Sequence, residues 1–124
     1  MASLFYGKIS AINYGAGTSA VTLPDRENQV IQDVPFLAMI YEMPKPGDTV
    51  AVLFEEEGGR IGKGVILGKI FLRGNAPRET GPGIFYKEFT DGAGIKYTPE
   101  SQEMEIMTKK VVVDELVYTA LTQG

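Results

Sequence analysis

Apolar and polar positions change over in short runs along the first seventy residues, and glycine, proline or a charge closes each run. Leu4–Asn13 reads as a strand with Phe5, Ile9 and Ala11 on one face at period two and Gly7 between them. Tyr14-Gly-Ala-Gly17 reads as a turn, and Ser19–Leu23 as a second strand broken by Pro24-Asp25. Gln29–Asp33 fits a continuation of that strand beyond a bulge or loop, and Val34–Tyr41 a third, almost wholly apolar strand. Pro44-Lys-Pro-Gly-Asp48 is a strong turn, because proline fixes φ and glycine allows it to be positive. Thr49–Phe54 reads as a fourth strand, Glu55–Arg60 as a polar hairpin loop, and Ile61–Leu72 as a fifth strand.

In the fifth run, strict alternation puts Gly62, Gly64 and Gly68 on one face with Ile66 and Ile70. Glycines inside a strand mark bends, bulges or close backbone approach, and such bends let a small sheet curl shut. Five short strands in residues 1–72 therefore predict an all-β domain, an OB-like barrel, with an SH3-like barrel as its rival. No helical period interrupts this region, and only Glu42–Asp48 joins the third and fourth strands. Residues 73–84, rich in glycine and proline, read as a linker.

Residues 85–124 form a different kind of segment. After Ile84–Phe89 and the turn Asp91-Gly-Ala-Gly94 come four short apolar runs, Ile95–Tyr97, Met104–Met107, Val111–Val113 and Leu116–Tyr118. Their side chains are too few to offset the entropy of ordering the segment alone. The segment must dock on the first domain, pair with copies of itself, or stay disordered. At its end Val113, Leu116, Val117, Ala120 and Leu121 also match a helical period, so strand is expected through Val113 and residues 114–122 stay open.

Charge and composition narrow the function. The net charge of −4 is spread evenly, with six basic and eight acidic residues in 1–72 and the same numbers in 73–124. No segment is a basic patch that would draw a polyanion. Tyr6, Tyr14, Phe36, Tyr41 and Phe54 are the aromatics that could stack on a single strand, but alternation places Phe36 and Phe54 in the core. The absence of cysteine fits a reducing compartment, and no signal pattern or eighteen-residue apolar run is present. With no histidine, a Ser–His–Asp or Cys–His arrangement cannot form. Glu55-Glu-Glu57 reads as a solvated hairpin tip, and the glycine pairs lack the spacing of a phosphate loop. No enzyme, cofactor or metal site is expected, and the methionines Met39, Met43, Met104 and Met107 read as packing residues.

Three stretches together resemble a known family: Val34-Pro-Phe-Leu37, Met43-Pro-Lys-Pro-Gly-Asp-Thr-Val-Ala-Val-Leu-Phe54 and Gly64-Val-Ile-Leu-Gly-Lys-Ile-Phe71. They are similar to the OB-fold domain of the baseplate assembly protein V group, the central spikes of contractile phage tails, with relatives in phage-derived bacteriocins and type VI secretion systems. Lys87–Tyr97 followed by Glu103–Ile106 resembles the start of that family's trimeric β-helix. The resemblance implies a homotrimer in which Ile95, Tyr97, Met104, Ile106, Val111 and Val113 face a shared axis while Lys96, Glu103 and Glu105 face solvent. It implies a baseplate hub protein as partner, a place at the baseplate centre of a virion or tail-like particle, and assembly in the bacterial cytoplasm. No cofactor is implied, and the evenly spread charge and the lack of a long apolar run speak against a nucleic-acid partner and stable membrane insertion. The family's histidine-held iron tip cannot form here, so a separate protein would have to supply any point. The alternative is a monomeric OB-fold module that binds single-stranded nucleic acid or an oligosaccharide.

Overall fold

A computed structural model describes residues 1–115, Val117 and Thr119. The chain divides into two compact units, Met1–Ala76 and the residues from Pro77 onward, with the division inside the expected linker. Among the described residues the regular structure is strand, apart from one 3-10 turn at Pro24–Arg26.

The first unit is a single curled sheet, half a barrel, with five strands in the order β3-β2-β1-β4-β5. They are β1 (Ala2–Asn13), β2 (Thr18–Leu23), β3 (Gln29–Pro35), β4 (Thr49–Glu57) and β5 (Arg60–Lys69), and each laddered pair is antiparallel. The inner face carries Ile9, Val21, Leu23, Val34, Val50, Val52, Phe54 and Ile66, with Phe5, Ile12, Ile31, Phe36 and Ile61 packed at its margin. The Phe5 and Phe54 rings meet edge to face, their centroids 5.9 Å apart.

Bulges explain most departures from strict alternation. Ile9 and Ile12 stand opposite Val21 and Ser19, so β1 carries one extra residue, and Ile12 rather than Ala11 joins the core margin. On β3, Ile31 and Val34 stand opposite Val21 and Ser19, and Asp33 absorbs the extra residue with a left-handed φ of 55°. On β5, two further shifts put Ile61, Gly64 and Ile66 opposite Glu56, Phe54 and Val52, so the glycines do not share one face. A side chain at Gly64 would run into the Phe54 ring, which is why the strand needs glycine there.

The expected strand Val34–Tyr41 does not form. The ladder to β2 ends at the pair Thr18↔Pro35; Phe36 and Leu37 then touch β5 at Ile66, and beyond them the chain leaves the sheet with Met39, Ile40 and Tyr41 exposed. The Pro44–Asp48 turn forms as expected and is buckled onto β1. The Gly47 N–H donates to the Ile9 carbonyl at 2.7 Å, and the Ile9 N–H donates to the Asp48 carbonyl at 2.9 Å. The Asp48 carboxylate accepts the Lys45 N–H at 2.8 Å, closing the turn on itself.

The second unit contains an antiparallel sheet of three strands, β6 (Phe85–Glu88), β7 (Gly94–Thr98) and β8 (Glu103–Met107), in that order. Val111–Val113, expected as a strand, lies beyond the last ladder and carries no strand pairing. Leu116, Tyr118 and residues 120–124 lie outside the described residues, so the question of strand or helix at the end falls there.

Candidate functional site

The C-terminal sheet has two unlike faces, and its register defines them. Phe85 stands opposite Tyr97 and Tyr97 opposite Met104, while Lys87 stands opposite Ile95 and Ile95 opposite Ile106. Directly opposed residues share a face. One face is therefore Phe85, Ile95, Tyr97, Met104 and Ile106, with Lys87 as the charged side chain among them. Phe85, Met104 and Ile106 are all more than half exposed on this face.

The opposite face carries Tyr86, Glu88, Gly94, Lys96, Thr98, Glu103, Glu105 and, at its end, Met107. Here the chain packs on itself. Arg78 bonds Glu88 at 2.6 Å and Lys96 bonds Glu79 at 3.2 Å, which ties the segment after Pro77 along this side. The Tyr86 ring lies over Gly94, where an added side chain would meet both the ring and the Lys87 carbonyl. Burial, the neighbouring Glu88 charge and the hydroxyl's bond to Glu88 at 3.3 Å together raise the Tyr86 pKa above its ordinary value.

Four of the six residues expected at a shared axis, Ile95, Tyr97, Met104 and Ile106, are thus brought together on the bare face. Lys96, Glu103 and Glu105 fall on the other. Val111 and Val113 are not brought to that sheet; they lie past β8, each about half exposed.

The first unit offers less. Glu55-Glu-Glu57 is part of β4 rather than a loop, and the hairpin tip is only Gly58-Gly59, both with positive φ as a two-residue turn requires. Glu56 is half-buried and ion-paired rather than freely solvated as the sequence implied. It takes Arg26 Nη1 at 2.5 Å and the Ser3 hydroxyl at 3.0 Å, and these bonds hold its pKa below the ordinary glutamate value, the arginine first. Nothing in the local sequence signals this pair, whose members stand thirty residues apart. Among the aromatics weighed for stacking, Phe54 is fully buried and Phe36 packs on the core margin, while Tyr6, Tyr14 and Tyr41 are exposed. Among the described residues no group of three or more His, Cys, Asp or Glu side chains is placed to hold a metal, and no helix is long and apolar enough to cross a membrane.

Compared with known proteins, the chain matches no family model and no curated protein by sequence.

Proposed function

We propose that this chain is the homotrimeric central spike or hub cap of a contractile phage tail, a phage-derived bacteriocin or a related injection particle. One observation carries the reading: the apolar face of Phe85, Ile95, Tyr97, Met104 and Ile106, on which Phe85, Met104 and Ile106 are exposed, on a three-stranded sheet whose other side is tied to its own chain by Arg78–Glu88 and Lys96–Glu79. A sheet this small gains independent stability only when its apolar face is packed. Three copies wound about one axis would bury that face and leave Lys96, Glu103 and Glu105 outside.

The first unit supports the reading through its connectivity. β1, β2 and β3 meander, β4 lies against the free side of β1, and the residue after β3 meets β5 in the parallel sense at Phe36↔Ile66. That order and direction fit an OB-like barrel, as does the resemblance carried by Met43–Phe54 and Gly64–Phe71. The role is mechanical, with interchain packing giving a stiff prism at the baseplate centre. A hub protein is the partner on one side, and a separate protein supplies any tip.

The test is the mass in solution, by light scattering after size exclusion, of the full chain and of a version ending at Gly81. The expected result is three times 13.5 kDa for the full chain and a monomer for the truncated one. A monomeric full chain that binds single-stranded DNA in a salt-sensitive way would overturn the spike in favour of the binding module.

A further inference from the structure

The curled sheet of the first unit has a seam where β3 and β5 approach without forming a ladder. At one end the seam is pinned by backbone: Phe36 bridges Ile66, and the Leu37 N–H donates to the Ile66 carbonyl at 3.2 Å. Between there and the start of the two strands no ladder pairing joins them among the described residues. The reason lies in the bulges. The left-handed Asp33 on β3 and the register shifts on β5 put the two edges out of step, which prevents regular pairing.

At the other end, among the described residues, the Arg26 side chain does the joining. Arg26 closes the 3-10 turn before β3, and two consecutive left-handed residues, Glu27 and Asn28, follow it into the strand. Its Nη1 donates to Glu56 Oε1 at 2.5 Å, and its Nη2 donates to the Gly59 carbonyl at 2.7 Å, at the tip of the β4–β5 hairpin. Its guanidinium carbon lies 5.8 Å from the centroid of the Phe5 ring, over the aromatic end of the core. The Met1 amine and the Ser3 hydroxyl complete the surroundings of Glu56, at its carbonyl and its carboxylate respectively.

We propose that Arg26 is the clasp of this seam, and that the half-barrel opens from the hairpin end, with the Phe36–Ile66 end as its hinge. Opening separates the β2–β3 connection from the β4–β5 hairpin, frees the ladder ends Leu23↔Gln29 and Glu57↔Arg60 that the clasp holds in place, and uncovers the Phe5–Phe54 pair, while the β1–β4 ladder stays closed. The planar fork of arginine is what allows one side chain to hold a carboxylate and a backbone carbonyl together; a lysine ammonium is a point charge on a shorter reach. This device belongs to the first unit and does not depend on the trimer.

Hydrogen exchange read by mass spectrometry on the full chain tests it, comparing the parent with Arg26→Gln and Arg26→Lys. The expected result for Arg26→Gln is about tenfold faster exchange in peptides covering 24–33 and 56–63, with 34–37, 64–68 and the β1–β4 ladder unchanged. Arg26→Lys, which keeps the charge but not the fork, gives a smaller acceleration in the same two segments. Unchanged exchange in both variants would overturn the clasp. So would acceleration of equal size across all five strands, since that reports general loss of stability rather than opening at one end.

Discussion

Ile95 and Ile106 stand directly opposite one another on the uncovered face of the C-terminal sheet. One residue along, on the occupied face, Lys96 stands opposite Glu105. The pair of positions makes a controlled experiment. Ile106→Glu puts a charge into the contact that the trimer proposal requires, and it should weaken association at least tenfold, since burying an isoleucine contributes about 1.5–3 kcal/mol. Glu105→Gln, on the other side of the same strand, should leave the mass unchanged. Sedimentation velocity across a dilution series separates the two, and equal behaviour of both variants would remove the apolar face from the interface.

Gly64 faces the Phe54 ring across β4 and β5. An alanine there would meet both the ring and, at 2.9 Å, the Leu53 carbonyl, and the backbone oxygen cannot turn aside. Gly64→Ala should destabilise the first unit by about 1–3 kcal/mol, as overpacking of a tight core does. Urea unfolding followed by tyrosine fluorescence reads this as a lower midpoint at unchanged slope.

Phe54 is fully buried and touches the ring of Phe5. Phe54→Ala should cost about 3–5 kcal/mol, much of the margin of a domain this size. Thermal melting of the variant should show either a sharply lowered transition or none. A near-parental midpoint would mean that the core is organised elsewhere.

Glu56 has a distinct acid signature. Its folded pKa lies below the ordinary 4.5 because Arg26 and Ser3 bond the ionised carboxylate. A depressed folded pKa means that the ionised form stabilises the fold above the ordinary value. That contribution is lost as pH falls below 4.5 and through the folded pKa. The stability difference between the parent and Glu56→Gln should therefore be constant near neutrality and shrink on acidification. Urea midpoints at a series of pH values check it, and a difference that grew on acidification would contradict the sign.

How much of this was legible in the sequence follows from where the physics is local. The Pro44–Asp48 turn was readable because proline, glycine and aspartate act within five residues. The division of Ile95, Tyr97, Met104 and Ile106 from Lys96, Glu103 and Glu105 was readable because β7 and β8 pair without a bulge. Ala11 in place of Ile12, and the glycines of β5 on one face, were misread because each bulge inverts the alternation beyond it. The run Val34–Tyr41 was misread for another reason: its apolar residues look like a strand, but past Pro35 the ladder to β2 stops and only Phe36 and Leu37 meet Gly17 and Ile66 before the pairing ends among the described residues. Pro35, which has no N–H to donate, was the available warning. The Arg26–Glu56 bond left no local trace, since it joins a 3-10 turn to the end of a strand that only the fold brings beside it.

The two faces of the C-terminal sheet also make ionic strength a lever with opposite signs. Arg78–Glu88 and Lys96–Glu79 hold one face, and dissolved ions screen such exposed pairs. The face of Phe85, Met104 and Ile106 gains from sulfate, which is excluded from apolar surface and so favours covering it. A concentrated sulfate solution therefore loosens this unit's hold on its own strap while driving its bare side toward whatever can cover it, and dilution reverses both.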